Sequence, residues 1–199
     1  SLGRLHLNLY LNVCVVESLG SNFGTIGGYS NFPWMSVSTD GIVMRHQEIR
    51  GGDRTFTHEV GHYFGLLHTF QGGCGSSCSN SGDFICDTPP TATSNFGCNT
   101  NLNSCSNDNP NLPDQIENYM DYSNCQFMFS QGQVNRMHSF LENTSSRRND
   151  LWQNSNLIRT GVIPDPNAAP IADFVASSRE VCLGGIVRFT NQSCNSTVD

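Results

Sequence analysis

With 199 residues, a formal net charge of −7 and a pI near 5.2, the chain has room for one core-bearing domain and a smaller unit. The acidic balance excludes the basic face that a nucleic-acid binder needs, and no apolar run approaches the ~18 residues of a membrane helix. Only 14% of residues are charged and all ten basic ones are Arg, so Asn, Ser, Thr and Gly must supply most of the polar surface.

No secretory signal opens the chain, so Ser1 is expected to lie inside a longer precursor. Leu5, Leu7, Leu9 and Leu11 alternate with His6, Asn8, Tyr10 and Asn12 ahead of 13–16, the period of a strand with one buried face. Cys14 within it reads as a buried free thiol. Residues 24–33 read as loop or edge, and 41–44 as another short strand.

The pattern then predicts a helix over 55–67, carrying His58-Glu59-Val60-Gly61-His62. One helical turn separates His58 from His62, so both imidazoles can reach one ion. Gly65 permits a left-handed backbone that swings His68 toward the same ion from outside the helix. Three neutral histidines leave a zinc ion doubly charged and a fourth position open, so a bound water becomes acidic near neutral pH. Glu59 is placed to take its proton and pass it to a leaving amine. The competing reading is a buried helix whose histidines only pack, but the spacing of five fixed positions disfavours it. His6, His46 and His138 lie outside any ligand spacing and read as packing or surface.

Six of the nine cysteines, Cys74, Cys78, Cys86, Cys98, Cys105 and Cys125, crowd a Gly-, Ser- and Asn-rich stretch downstream. Disulfides would offset the ordering entropy of such a loop in an oxidising compartment, which points to secretion. A second zinc site is the alternative, but paired CxxC elements are missing. Asp83, Asp87 and Thr88 offer hard oxygen ligands suited to calcium, though Asp-rich turns also satisfy themselves through their own backbone. Farther on, Ser130 with Gln133 forms a capping-box signature, and Val134, Met137, His138 and Leu141 predict a helix to about Asn143. Residues 161–169, with Gly161, Pro164 and Pro166, read as a linker. Beyond it, 170–174 and 181–190 alternate as strands.

The run 58–68 is similar to the zinc motif of the metzincin metallopeptidases, and Glu117-Asn118-Tyr119-Met120-Asp121-Tyr122 resembles their Met-turn. Thr69-Phe70 after the third His, Asp87-Thr88-Pro89-Pro90, Phe129-Ser130-Gln131-Gly132-Gln133 and Arg136-Met137 complete a set similar to the pappalysin (cytophagalysin) family over roughly residues 5–160. The resemblance implies an α+β (α/β-type) metzincin catalytic domain over 1–160. Such a domain has a twisted mixed sheet, a zinc-binding helix and a loop-rich C-terminal subdomain, with its N-terminal part missing here. It implies that the sheet edge pairs with extended substrate, that Met120 floors the ligand site, and that Tyr122 hydrogen-bonds the oxyanion. It also implies bridges Cys78–Cys105 and Cys98–Cys125, leaving Cys74–Cys86 as an extra pair. Some members bind calcium near Asp83, Asp87 and Thr88, and some favour basic residues after the scissile bond. Residues 170–199 resemble the opening of a PKD-like β-sandwich, too short to close alone, in which Cys182 and Cys194 could bridge.

The expected function is a secreted, exported or bacterial cell-surface zinc endopeptidase acting on protein or peptide substrates. The alternative is a catalytically silent module that keeps the fold for adhesion. An intact Glu59 argues against silence.

Overall fold

A computed structural model describes residues 5–7, 9–21, 24–49, 54–166, 173–180 and 183–192. At the centre of the first unit, Ser1–Gln153, lies a three-stranded mixed sheet in the order β1 (Val13–Val16), β5 (Ile42–Arg45), β4 (Gly28–Ser30). β1 runs parallel to β5, with Val13 beside Ile42, whereas β4 runs antiparallel to it, with Tyr29 beside Val43. β5 is central, so its β-branched residues are covered from both sides and its sequence shows no alternation. β2 (Gly20–Ser21) and β3 (Gly24–Thr25) form a separate two-stranded ribbon.

The expected strand over 5–16 contracts to β1. Leu9 and Tyr10 donate their amides to the His6 carbonyl at 3.0 and 3.3 Å, a turn that consumes the alternating segment. The Asn12 carboxamide reinforces it by accepting from the Leu5 amide and donating to the Tyr10 carbonyl. β5 offers only four residues for pairing, so alternation upstream of Val13 has no neighbour to register against. Cys14 is free and half-buried.

α1 (Thr55–Tyr63) packs on the sheet, and Ile42, Met44 and Tyr63 form one core with Leu11, Val60, Phe64 and Leu151 around it. The helix ends at Tyr63, not at Leu67 as the apolar pattern suggests. Gly65 adopts φ +89, its amide bonds the His62 carbonyl at 2.9 Å, and the Leu66 amide bonds the Gly61 carbonyl at 2.9 Å. These are the paired bonds of a Schellman motif, which stops the helix and reverses the chain.

A second core, Leu66, Ile85 and Met120 with Phe129 and Met137 against it, lies beneath the irregular region. α2 (Gln131–Glu142) starts with the capping box expected from Ser130 and Gln133, and is followed by the short α3 (Arg147–Asp150). From α3, Arg148 reaches back through the protein and is 1% exposed. It pairs with both carboxylate oxygens of Asp40 at 2.7 and 2.8 Å and donates to the carbonyls of Asn31 and Tyr63. Its guanidinium lies 3.4 Å from the Tyr63 ring centre. One side chain therefore ties the segment joining β4 to β5, the end of α1, and α3.

Three disulfides fasten the loop region: Cys74–Cys105, Cys78–Cys86 and Cys98–Cys125. The pairings expected as Cys78–Cys105 and Cys74–Cys86 are exchanged. Gly82 and Phe84 both take positive φ, folding residues 77–86 into a tight loop that brings the Cys78 and Cys86 α-carbons within 4.9 Å. Cys74 lies instead against the Ser104 carbonyl, beside Cys105.

The second unit, Asn154–Asp199, contains α4 (Asn154–Arg159) and an antiparallel pair, β6 (Phe174–Ala176) with β7 (Phe189–Asn191). The division thus precedes α4, where the Gly and Pro pattern put the linker after it. Cys182 and Cys194, expected to bridge, lie outside the described residues.

Candidate metal centre

Helix periodicity stacks His58 and His62 on one face of α1, and the Schellman turn brings His68 opposite them. The Nε2 atom of His68 lies 3.1 Å from that of His58 and 3.0 Å from that of His62. The outer nitrogens are spoken for: His58 Nδ1 donates to the Tyr119 carbonyl at 2.6 Å and His62 Nδ1 to the Leu66 carbonyl at 2.8 Å. A carbonyl oxygen can only accept, so each of these rings carries its proton on Nδ1 and turns a bare Nε2 lone pair inward. Lone pairs facing one another at 3 Å repel unless a cation lies among them. Among the described residues this is the one His/Cys/Asp/Glu group able to hold a metal ion.

Burial reinforces that chemistry. It drives the His58 imidazole down to about 3 and His68 to about 2, each pushed further by neighbouring imidazoles, and lowers His62 as well. All three rings are therefore neutral, the form in which an imidazole can ligate a metal. Phe70 stacks on His68 with centroids 4.7 Å apart, and Phe32 sets its edge against His62 at 5.1 Å. The Gln71 amide donates to the His68 carbonyl at 2.9 Å, and the Gln71 side chain partly offsets the lowering of the His68 pKa.

Glu59 faces the same cavity from α1 and is 5% exposed. Desolvation pushes its carboxyl up to about 8, and its Oε2 has no hydrogen-bond partner. The buried carboxyl therefore holds a proton tightly, and once ionised it is a strong base facing the bare Nε2 lone pairs of His58 and His62. Gly28 on β4 makes the approach possible, since a β-carbon there would lie 3.0 Å from Glu59 Cγ and 2.8 Å from Met44 Sδ.

Met120 is fully buried beneath the helix: a β-carbon on Gly61, between the two histidines, would meet its sulfur at 2.5 Å. Its carbonyl accepts from the Thr69 amide at 3.2 Å, linking the turn to the chain just past His68. Two residues on, the Tyr122 hydroxyl stands 3.1 Å from His68 Nε2, and burial raises its pKa, as do the Glu59 and Asp121 charges. The turn is held by Asp121, whose carboxylate accepts from the amides of Tyr122 and Asn95 and from the Asn95 side chain.

The expected calcium ligands stand elsewhere. Asp83 is buried and accepts from the Ile85 amide and the Gln133 side chain, while Asp87 accepts from Ser130 Oγ and the Gly132 amide at the start of α2. Thr88 bonds Ser130 Oγ at 3.2 Å. These oxygens fasten α2 to the disulfide loop.

A cleft of about 790 Å³ runs past the histidines, with β4 and its flanks as one wall and Phe96, Tyr122, Ser123 and Gln126 on the other. Sequence reading missed Asp121, Asn95, Gln71, Phe32 and Phe96. Only Asp121, inside the Met-turn motif, carried a local signal; the others reach the site through loop paths that no periodicity encodes.

The family profile of Peptidase M43, described as pregnancy-associated plasma protein-A, matches residues 6–142. The chain is 41% identical over 148 residues to an extracellular metalloprotease of Colletotrichum graminicola, covering 66% of this chain and 49% of that protein. It is 42% identical over 150 residues to one of Pyricularia oryzae, covering 68% and 48%. It thus spans about half the length of the curated relatives it matches. Among solved structures it is similar to mature mirolysin of Tannerella forsythia in complex with a cleaved peptide, with TM-score 0.60 and 32% identity over 75% of this chain and 58% of that one.

Proposed function

The chain belongs to the Peptidase M43 family, and from that premise we propose that it carries the catalytic site of a secreted zinc endopeptidase acting on proteins. The observation that carries the reading is the convergence of three Nε2 atoms, those of His58 and His62 bared by outward Nδ1 bonds to backbone carbonyls, with the unpartnered Glu59 Oε2 beside them. His58, His62 and His68 would hold the ion. A zinc ion bound there supplies Lewis-acid polarisation and a nucleophile at neutral pH. Glu59 accepts the proton of the attacking water and delivers it to the departing amine, which suits a group whose pKa burial has moved toward neutrality. The Tyr122 hydroxyl donates to the oxygen that gains negative charge as the carbonyl becomes tetrahedral. Met120 packs under α1 and keeps the two helical ligands in register.

Export agrees with three disulfides in one loop and with the extracellular designation of the relatives. Among the described residues no helix is long and apolar enough to cross a membrane. Calcium is left out of this reading: Asp83 accepts from Ile85 and Gln133, and Asp87 from Ser130 and Gly132, bonds that fasten the loop to α2.

The test is hydrolysis of denatured casein with and without a zinc chelator, beside the Glu59→Ala variant. Chelation should abolish cleavage and added zinc restore it, while Glu59→Ala should retain one zinc per chain and lose activity by at least ~10³-fold. Cleavage indifferent to the chelator, or an active Glu59→Ala enzyme, would overturn the reading. Bound zinc without hydrolysis in the wild type would favour a silent binding module.

A further inference from the structure

Phe96 is 77% exposed, yet it is one of the more firmly held positions on the cleft wall. Its neighbour Asn95 is clasped by the buried Asp121 carboxylate through backbone (2.9 Å) and side chain (2.8 Å). On the other side the Gly97 carbonyl accepts from the Asn124 amide at 3.2 Å, and Cys98 is covalently joined to Cys125. The ring itself touches only the margin of the Tyr122 ring, with centroids 6.1 Å apart. A phenyl ring left in water adds little to folding, whereas one pre-positioned at low entropy cost beside a catalytic site is suited to bind an apolar partner.

Resting on the endopeptidase reading above, we propose that Phe96 is a specificity-determining residue: with Tyr122 it forms an aromatic rim that receives one large apolar or aromatic side chain of the peptide substrate. The rim is continuous with the cleft that holds the three histidines, and the anchors on both sides of Phe96 converge on the Met-turn. A side chain seated there is therefore registered against the scissile bond by the same loop that places Tyr122.

The test compares wild type with Phe96→Ala and Phe96→Leu on a peptide library in which each position around the scissile bond is varied among Phe, Leu, Ser and Gly. At one position Phe96→Ala should lower kcat/KM for Phe and Leu by about tenfold or more and leave the Gly and Ser peptides within about twofold, with Phe96→Leu in between. Exposure of the ring means the variants should melt with the wild type. An unchanged profile, or an equal loss on every peptide, would overturn the proposal. Binding of fluorescein-labelled Phe and Gly peptides to Glu59→Ala and to Glu59→Ala/Phe96→Ala, read by anisotropy, reports the contact without turnover. A Phe-over-Gly preference lost with Phe96 supports the rim even if wild type hydrolyses nothing, and no such preference sinks it. Failure of the zinc-dependent casein assay with this preference intact would count against the enzyme reading alone.

Discussion

The three clustered histidines were legible as residues because their spacing is itself the geometry: one turn of helix, then a glycine-enabled reversal. What the spacing could not convey was the tautomer, which depends on carbonyls at Tyr119 and Leu66 that only the folded chain brings up. Asp83 illustrates the reverse, a residue whose chemistry suggested a calcium ligand and whose hydrogen bonds to Ile85 and Gln133 no local pattern announced. It is buried against α2, and desolvation, outweighing the bonds from Gln133 and Ile85, raises its carboxyl to about 6. A carboxyl held above its unfolded value binds a proton in the folded chain that the unfolded chain releases. Its stabilising contribution is therefore complete below the ordinary carboxylate range and drains as the pH rises through about 6, by up to ~3 kcal/mol. Asp83→Asn cannot ionise, so urea midpoints should show the variant at its greatest disadvantage near about pH 4 and closest to wild type above about pH 7. A gap that widens with pH would contradict the assigned burial cost.

At the level of elements, short apolar runs located β1 and β5, the histidine spacing and an apolar stripe located α1 and α2, and the Ser130 and Gln133 signature marked the start of α2. It misjudged ends. The apolar run to Leu67 looked helical because Leu66 and Leu67 continue the stripe, but Leu66 serves the second core from beyond the turn. The turn decides the site, since it sets both the Leu66 carbonyl that orients His62 and the approach of His68. Gly65→Ala should therefore cost more than a surface change. Its backbone lies at φ +89, and the new methyl would meet Phe140 Cε2 at 2.2 Å. We expect a stability loss on the order of 2 kcal/mol or more together with weakened zinc binding, measured by thermal denaturation and by competition with a chromogenic chelator. Wild-type affinity in this variant would mean that the ligands do not depend on the turn.

For the whole first unit, the sequence concealed what joins distant segments. Arg148 and Asp40 are 108 positions apart, and neither sits in a motif. Burial of the pair is readable only once the fold has closed over it, as is the exchange of disulfide partners, which depends on how tightly residues 77–86 curl. Arg148→Met should destabilise the unit by about 3–5 kcal/mol, because the Asp40 carboxylate would be stranded without its partner. Arg148→Met/Asp40→Asn should recover part of that loss in the same denaturation experiment, as expected when the penalty is an uncompensated charge rather than lost packing.

The three crosslinks among the described residues all fall between Cys74 and Cys125, and none of them reaches the sheet or α1. Covalent reinforcement is thus confined to one bank of the cleft, while the bank formed by β4 is held without covalent links, by hydrogen bonds, packing and the Arg148–Asp40 ion pair. A reducing environment would therefore act on the two banks unequally: the side bearing Phe96 and Tyr122 would slacken first, while His58, Glu59 and His62 kept their places on the helix. In such a chain the ability to grip a peptide and the ability to hold an ion would part company, and the compartment it occupies would decide whether it has both.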